Sequence, residues 1–464
     1  MLTTNSRVHF IGIGGSGMNP LAKILIDMGH EVSGSDIKEN LYTLKLKEMG
    51  ATIFYGHHES NIRVCDVVVV STAIHKDNVE YKAAQNVGLP ILRRAELLSF
   101  IMDQHQTRIA VSGTHGKTTV SSFLAHYLVH MGQKPSYVIG ATLKRTQTSA
   151  DFGDPQYCVA EADESDRSFL FLNPTILVIT NIEEEHLDEF KDLADIMTTF
   201  DKLITRTPDK KGLLILCGDD PNISRLHTLG RKVITYGIKS HNDVRATNIR
   251  EQQNQLIFDV DVDGKRVVTD GALLVPGRHN ILNCLTVFAL AKHIGLPYDR
   301  AAESFLDFEG ASRRFHWIGE LNGIDVYDDY AHHPTEIACT LEAARTYGRR
   351  VVAIFQPHRY SRFTAFFDRF IEALNLADLV IITDVYAAGE NNFSGLTSKD
   401  LVKKMDPAKV HYVKSVGGLA SEALKLLRKG DLVITLGAGD VTHVAKEIVQ
   451  LMKSKTDPDV LPIA

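Results

Sequence analysis

A glycine loop in the segment IAVSGTHGKTTV, residues 109–120, joins an apolar run to a helix-forming run. In such a loop the backbone N–H groups favour phosphate, a lysine suits the β- and γ-phosphates and a hydroxyl suits Mg²⁺. The spacing is GxxGKT, and the usual longer loop would place a glycine at Val111. The segment therefore predicts an ATP site formed by Gly113, Thr114, His115, Gly116, Lys117, Thr118 and Thr119.

Another glycine loop, FIGIGGSGM, lies upstream at residues 10–18; it is the first along the chain, and the loop at residues 109–120 is the second. Gly12, Gly14 and Gly17 match GxGxxG between a strand and a helix, the pattern that holds a pyrophosphate. Asp36 ends the next strand, 19 residues after Gly17, where a ribose-binding acid sits in an NAD site. On its own the loop fits NAD, FAD, a nucleotide sugar or a tight turn. A dehydrogenase, however, would leave the GTHGKTT loop unused.

Carboxylates follow the strand that ends in VAEADESD, residues 159–166. Glu161 and Asp163 lie where Mg²⁺ ligands occur beside a phosphate loop. For Glu164 and Asp166 we favour a solvated acidic turn.

The next strand ends in TNIEEEHLDEF, which offers Asn181, Glu183 and His186. A lone histidine is usually structural, but His186 has carboxylates beside it. Both a ligand role and a structural role stay open for His186.

Two polar segments near the C-terminal end could bind a small substrate. YDDYAHHPTE offers Asp328, Asp329, Tyr330, His332 and His333. QPHRYSR offers His358, Arg359 and Arg362. Arginines three positions apart share a helix face and can together bind a carboxylate. We favour anion binding over simple surface solvation for this pair.

Short β-branched runs alternate with helix-period segments along most of the chain, which predicts βαβ units and parallel sheets. The pattern divides into three blocks, so we predict an α/β protein with domains at 1–104, 105–314 and 315–464. Each domain has a largely parallel Rossmann-like or P-loop sheet. Residues 244–275 alternate like an antiparallel meander with a DG turn, which adds an antiparallel segment to the central domain. The tail 455–464 shows no periodicity.

Composition limits the classes of function. The 464 residues carry a formal charge of −6, which argues against a broad nucleic-acid-binding surface. Five scattered cysteines without CxxC spacing fit a reducing cytoplasm. The longest apolar runs are strand-sized, so no membrane insertion is expected.

Together, GTHGKTT, EADESD, TNIEEEHLD, GRHNILNCL and DDYAHHPTE resemble the Mur ligase family of peptidoglycan synthesis, in the family's order over nearly the whole chain. GIGGSGM, GTHGKT and QPHRYSR are similar to those of members that add L-alanine to UDP-N-acetylmuramate. The chain departs from the family pattern at Glu185, where Asp is usual, and at Ala331, where Gly is usual.

The resemblance implies one ligand for each domain: UDP-sugar on the first, ATP on the second and the amino acid on the third. It implies UDP-sugar binding by Gly12, Gly14, Gly15, Ser16, Gly17, Asp36, Ser71 and Thr72. It adds Asn280, Asn283 and Asp329 to the ATP site, and it assigns amino-acid binding to Tyr330, His332, Arg359 and Arg362. Thr118, Glu161 and His186 are the implied metal ligands, for two Mg²⁺ ions with Mn²⁺ as a substitute. The implied catalytic residues are Lys117, Glu161, His186, His332, Arg359 and Arg362.

The implied reaction joins L-alanine to the lactyl carboxylate of UDP-N-acetylmuramate through an acyl phosphate, in a cytoplasmic monomer or homodimer. Two alternatives stay open. One is a ligase that recycles murein tripeptide onto UDP-N-acetylmuramate, and the other is a P-loop ATPase or binding switch.

Overall fold

The computed structural model describes residues 2–3, 5–143, 145–252, 255–308 and 310–456. The predicted aperiodic tail lies outside these residues from position 457 onward. The chain divides into two compact units, residues 1–182 with 197–235 and residues 183–196 with 236–464. Among the described residues, no helix combines the length and apolar character needed to cross a bilayer.

The first sheet is a five-stranded parallel sheet, in the order β3-β2-β1-β4-β5. Its strands are β1 (Arg7–Ile11), β2 (Glu31–Asp36), β3 (Thr52–Tyr55), β4 (Val67–Val70) and β5 (Ile91–Arg93). The helices are α1 (Asn19–Asp27), α2 (Leu41–Glu48), α3 (Val79–Asn86) and α4 (Arg94–Asp103). The strand order reverses between β1 and β4, so the segments after these two strands border a crevice at the carboxyl edge.

The next strands follow the order β12-β11-β10-β6-β9-β7-β8, and all of them lie in the first unit except the last two residues of β12. They are β6 (Thr107–Ser112), β7 (Ser136–Leu143), β8 (Thr148–Asp151), β9 (Tyr157–Glu161), β10 (Ile176–Ile179), β11 (Leu213–Cys217) and β12 (Lys232–Gly237). The helices of this stretch are α5 (Lys117–His130) and α6 (Leu193–Arg206). The pairs that β6 makes with β9 and β10 are parallel, whereas β8 is antiparallel to β7. The segments after β6, β9 and β10 are therefore neighbours.

The second unit contains the predicted meander as β13 (Val244–Gln252), β14 (Gln255–Val262) and β15 (Lys265–Leu273). Both strand pairs are antiparallel. Asp263 and Gly264, with φ of 51° and 73°, form the two-residue turn between β14 and β15. Both positive φ angles match the hairpin turn that DG favours.

A six-stranded sheet completes the second unit, in the order β16-β17-β21-β18-β19-β20. Its strands are β16 (His316–Leu321), β17 (Ile324–Asp329), β18 (Val351–Phe355), β19 (Leu379–Ile382), β20 (Val410–Tyr412) and β21 (Leu432–Leu436). The helices of the unit are α7 (His279–Ile294), α8 (Tyr298–Glu303), α9 (Pro334–Arg345), α10 (Tyr360–Ala365), α11 (Phe367–Leu374), α12 (Ser398–Lys404), α13 (Leu419–Leu426) and α14 (Thr442–Thr456). Only β16 pairs antiparallel within the described part of this sheet.

Helices cover both faces of the six-stranded sheet. Alternate residues of β18 enter different cores: Val352 and Ile354 pack with α13 and α14, whereas Val351, Ala353 and Phe355 pack with α9 and α11. This two-sided burial explains why the strands read as continuous apolar runs. It leaves the segments at the carboxyl edge to carry the polar residues.

Candidate active site

The first glycine loop lies between β1 and α1 in the first unit. Gly12 has a φ of +83°, and a Cβ built there would lie 3.4 Å from the Cβ of Ser71. The backbone N–H of Gly14 donates to Asp36 Oδ2 at 2.8 Å. The structure thus brings together Gly12, Gly14, Asp36 and Ser71, all predicted to bind the UDP-sugar. The other predicted residues of this site, Gly15, Ser16, Gly17 and Thr72, lie in the same two segments.

Arg94, the first residue of α4, is a residue of this loop region that sequence reasoning missed. A Cβ built on Gly17 would lie 3.0 Å from Arg94 Cδ and 3.5 Å from Nε. The guanidinium therefore borders the glycine loop, where it could contact a diphosphate. Arg94 lies far along the chain and outside any motif, so only the fold reveals it.

The second glycine loop lies between β6 and α5, and the end of β10 holds it in place. Gly113 and Gly116 have φ of +129° and +83°, values that favour glycine. The Asn181 side chain accepts from His115 N at 2.8 Å and donates to His115 O at 2.9 Å. Thr114 N donates to Asn181 O at 3.0 Å. Asn181, predicted only as a polar strand-end residue, thus positions the loop.

Lys117 forms an ion pair with Glu164. Its ammonium lies 2.8 Å from Glu164 Oε2 and also donates to the carbonyl of Gly113 at 2.7 Å. Burial disfavours the charge, but the carboxylates of Glu164 and Asp163 raise the pKa of Lys117, so it stays protonated. The predicted solvated turn is wrong for Glu164, which is only 2% exposed, and right for Asp166, which is exposed.

Two of the predicted metal ligands meet in the first unit. Thr118 Oγ1 donates to Glu161 Oε2 at 2.9 Å, and the same oxygen accepts from Gly140 N at 2.9 Å. A carboxylate and a hydroxyl are the hard oxygen ligands that Mg²⁺ prefers, so this pair fits the ion. His186 belongs to the second unit, and the complete metal set stays a prediction. Thr119 is buried at the start of α5.

In the second unit, Asp329 ends β17 and accepts from the N–H groups of Phe315 and Ala331 at 2.6 and 2.7 Å. Burial raises its pKa to about 6. Ala331 has no positive φ, so this position does not need the conformational freedom of the glycine usual in the family pattern.

Tyr330 and His332 follow directly. Their rings make an edge-to-face contact with 5.2 Å between the ring centroids, and His332 Nδ1 lies 2.8 Å from the carbonyl oxygen of Tyr330. Burial and the positive charge of Arg362 lower the pKa of His332 to about 3. Arg313 stacks on Tyr330 with 4.6 Å to the ring centroid. Arg313 is a second cation that the sequence reasoning missed, although the tandem Arg313–Arg314 was visible in the sequence.

Asn280 and Asn283, predicted to place adenine, lie on one face of α7 and are both buried. Asn280 Nδ2 donates to Pro276 O at 2.7 Å, and Asn283 Nδ2 donates to Asn280 Oδ1 at 3.0 Å. The two amides are therefore adjacent, and their role in placing adenine stays a prediction.

The two predicted carboxylate-binding arginines are already paired with acids of the second unit. Arg359 contacts Asp188 at 2.9 Å and Glu390 at 2.7 Å, and Arg362 contacts Glu185 at 2.8 Å. Arg359 has a φ of +67°, an uncommon value for a residue with a side chain. Such strain often marks a functional position.

Glu185, His186, Arg359 and Arg362 line a small cavity with Phe366 at its wall. Burial alone would raise the pKa of Glu185, but the charge of Arg362 and the nearby His333 lower it to about 2. Glu185 therefore faces the arginine as an anion. The longer side chain found here in place of the usual Asp carries this contact.

Comparison with known proteins covers nearly the entire chain. Three family models match in series: Mur ligase family, catalytic domain, over residues 7–106; Mur ligase middle domain over 111–291; and Mur ligase, glutamate ligase domain, over 313–439. A UDP-N-acetylmuramate–L-alanine ligase of Geotalea uraniireducens is 41% identical over 452 residues, 96% of this chain and 98% of the relative. The chain belongs to the Mur ligase family. The resemblance drawn from the motifs is confirmed.

Among solved structures, the UDP-N-acetylmuramate-alanine ligase of Thermotoga maritima matches with a TM-score of 0.81 and 29% identity. The match covers 97% of this Mur ligase chain and 100% of the Thermotoga chain. It confirms the predicted three-domain α/β fold, with mostly parallel sheets and added antiparallel strands. The predicted boundaries after residues 104 and 314 stay predictions.

A ligase from Neisseria meningitides, which joins UDP-N-acetylmuramate to L-alanyl-γ-D-glutamyl-meso-diaminopimelate, is 30% identical with a TM-score of 0.59. It covers 66% of this chain and 98% of its own. The tripeptide-adding reaction therefore stays an alternative.

Proposed function

We propose that this chain is an ATP-dependent ligase that joins L-alanine to the lactyl carboxylate of UDP-N-acetylmuramate, a step of peptidoglycan precursor synthesis. The observation that carries the proposal is the 41% identity over 96% of the chain to a ligase named for this reaction. Among solved structures, the alanine-adding ligase of Thermotoga maritima matches 97% of this chain with a TM-score of 0.81, against 66% and 0.59 for the tripeptide-adding ligase of Neisseria meningitides. We therefore favour L-alanine as the amino donor.

ATP would bind at the loop before α5. The central difficulty of the reaction is that a carboxylate must approach a triphosphate, so cations must lie between them. Lys117 would leave Glu164 to meet the β- and γ-phosphates, because the phosphates carry more charge than one carboxylate. Asn280, Asn283 and Asp329 would hold the adenosine.

Mg²⁺ would be held by Thr118 and Glu161, with His186 as the third proposed ligand. When bound, it would neutralise charge on the phosphates and the attacking carboxylate. We propose that two ions bind and that Mn²⁺ can substitute for Mg²⁺.

The proposed chemistry has two steps. An oxygen of the lactyl carboxylate attacks the γ-phosphorus, the bond to the β-phosphate oxygen breaks, and ADP leaves. The amine of L-alanine then attacks the acyl carbon and loses a proton, and phosphate leaves with the oxygen that came from the carboxylate. The first step forms one bond to the γ-phosphorus and breaks one. The second step forms one bond to the acyl carbon and breaks one.

Arg359 and Arg362 would bind the alanine carboxylate, with Tyr330 and His332 beside it. Since the pKa of His332 is about 3, it is a weak base at neutral pH. We therefore assign it a hydrogen-bonding role to the intermediate. Asp188, Glu185 and Glu390 would share the arginines with the substrate.

The UDP diphosphate would lie on the loop between β1 and α1, with Asp36 at the ribose and Ser71 and Thr72 across the crevice. Arg94 would add a cation there.

We place the enzyme in the cytoplasm, as a monomer or homodimer, with no role for nucleic acid. A P-loop ATPase or switch explains neither this first loop nor the arginine pair.

The test is phosphate release by the purified chain with ATP, Mg²⁺ and UDP-N-acetylmuramate, with either L-alanine or the murein tripeptide added. The proposal predicts release with L-alanine and little with the tripeptide. The reverse preference would establish the recycling ligase. Release that needs neither acceptor nor amine would establish an ATPase.

A further inference from the structure

Glu80, in α3 of the first unit, is a buried carboxylate outside every predicted site. Its side chain is 0% exposed. A buried carboxylate is costly unless hydrogen bonds and nearby charges compensate for the lost hydration. The role of Glu80 can therefore be inferred from the groups that contact its carboxylate.

Donors from three separate segments converge on this carboxylate. Oε2 accepts from Ser35 Oγ in β2 at 2.5 Å and lies 3.0 Å from His57 Nδ1, just after β3. Oε1 accepts from Asn61 Nδ2 at 2.6 Å and from His58 N at 3.3 Å.

A third histidine, His9 of β1, places its Nε2 at 3.8 Å from Oε2. Burial alone would raise the pKa of Glu80, but the surrounding His9, Ser35, Asn61 and His57 side chains lower it to about 2. The group is an anion at neutral pH.

Ser35 links this cluster to the first glycine loop. Its carbonyl oxygen accepts from the backbone N–H groups of Gly12 and Ile13 at 2.8 and 3.0 Å. The next residue, Asp36, accepts from Gly14 N through its side chain at 2.8 Å and from Gly56 N through its carbonyl at 2.7 Å. The Glu80 carboxylate therefore links the end of β2, which anchors the glycine loop, to the segment that follows β3.

We propose that Glu80 is a positioning residue for the nucleotide-sugar site: it fixes Ser35 and the His57–His58 segment, and through them the glycine loop, without touching the ligand. This inference rests on the proposed UDP-N-acetylmuramate function of that loop. The alternative role, simple stabilisation of the first domain, would change folding but leave the binding of folded protein unchanged.

The test is calorimetric binding of UDP-N-acetylmuramate, and separately of a non-hydrolysable ATP analogue, to the full chain and its Glu80→Gln variant. Glutamine keeps the size but replaces one acceptor oxygen with an amide donor that faces Ser35 or Asn61. We expect sugar-nucleotide affinity to fall about tenfold, as when a charge-assisted hydrogen bond that orients a loop is lost. Affinity for the ATP analogue should stay unchanged.

Glu31→Gln is the matched control, because Glu31 is exposed at the opposite end of the same strand, β2. It should bind both ligands as the wild type does. Asn61→Ala removes one donor at the periphery of the cluster and should weaken sugar-nucleotide binding about threefold, the loss of one hydrogen bond. It decides the question if Glu80→Gln fails to fold.

The outcomes separate the two proposals. If the wild type does not bind UDP-N-acetylmuramate, the proposed function fails. If the wild type binds and the folded cluster variants bind equally well, the positioning role is wrong. An equal loss for both ligands would likewise overturn it, because it would show a general effect on the fold.

Discussion

At the scale of single residues, three cations of the candidate site contact carboxylates of the same chain. Lys117 pairs with Glu164, Arg362 with Glu185, and Arg359 with Asp188 and Glu390. Buried or half-buried cations need such partners when no ligand supplies the negative charge. We interpret the internal acids as partners that anionic substrates replace or share.

Arg359→Ala tests the amino-acid assignment. A charge-assisted hydrogen bond to a carboxylate contributes about 1.5–3 kcal/mol, so the KM for L-alanine should rise about 10- to 100-fold. The KM for ATP should change little. Arg345→Ala, an exposed arginine at the end of α9, is the control for steady-state kinetics. A normal alanine KM in the Arg359 variant would remove this residue from the site.

Selectivity between amino acids follows from the size of one methyl group. Alanine and glycine differ by a contact that contributes about 1–3 kcal/mol, so kcat/KM for glycine should be roughly 10–200-fold lower. Glycine at high concentration should therefore support measurable phosphate release. Complete absence of turnover with glycine would show that the pocket discriminates by more than methyl contact.

The histidines beside the arginines predict how stability depends on pH. Burial lowers the pKa of His358 to about 4 and that of His332 to about 3, against about 6.5 in an unfolded chain. As pH falls below about 6.5 the unfolded state takes up protons first, so the free energy of unfolding falls down to about pH 4. When the pH is lowered from about 7.5 to about 5, the Tm of the His358→Phe variant should fall by less than the Tm of the wild type. Equal losses would contradict a neutral His358 in the folded state.

Residue types in motifs were enough to predict a candidate site, because phosphate and carboxylate chemistry restricts which side chains can serve, and the roles of these residues stay predictions. The sequence could not predict Glu164 as the partner of Lys117. An acidic residue just after a strand has the same sequence pattern whether its side chain is solvated or buried. Arg94 and Glu80 were equally hidden, since their importance depends on contacts across the sheet.

At the scale of elements, the position of each loop is set by the strand beside it. β6 lies between β9 and β10, so the phosphate loop after β6 meets Glu161 on one side and Asn181 on the other. Apolar runs, glycines and the DG turn predicted these elements well. Periodicity could not give strand order, because paired residues of neighbouring strands, such as Ile109 of β6 and Ile176 of β10, are 67 residues apart in sequence.

Asn181→Ala tests whether the end of β10 positions the phosphate loop. The variant loses the two hydrogen bonds that its side chain makes with His115, so the loop should become less ordered. We expect the KM for ATP to rise about tenfold, the effect of one or two net hydrogen bonds, with the KM for UDP-N-acetylmuramate unchanged. Asn173→Ala, before the opposite end of β10, is the control. An unchanged KM for ATP would assign Asn181 a purely structural role.

At the scale of the whole molecule, the order of the motifs along the chain matches three successive family models. Each sheet presents its polar residues at the carboxyl edge, as parallel sheets with helices on both faces generally do. Sequence alone supported this organisation because every domain repeats the alternation of strands and helices. The exact boundaries depend on packing, which periodicity does not report.

The central claim is that the muramyl carboxylate itself attacks the γ-phosphate of ATP. The most direct measurement uses UDP-N-acetylmuramate labelled with ¹⁸O in both carboxylate oxygens, with ATP, Mg²⁺ and L-alanine, and mass analysis of the released phosphate. We expect one ¹⁸O atom in each released phosphate and one retained in the amide product. Phosphate that carries no ¹⁸O would contradict it, because water would then have attacked ATP.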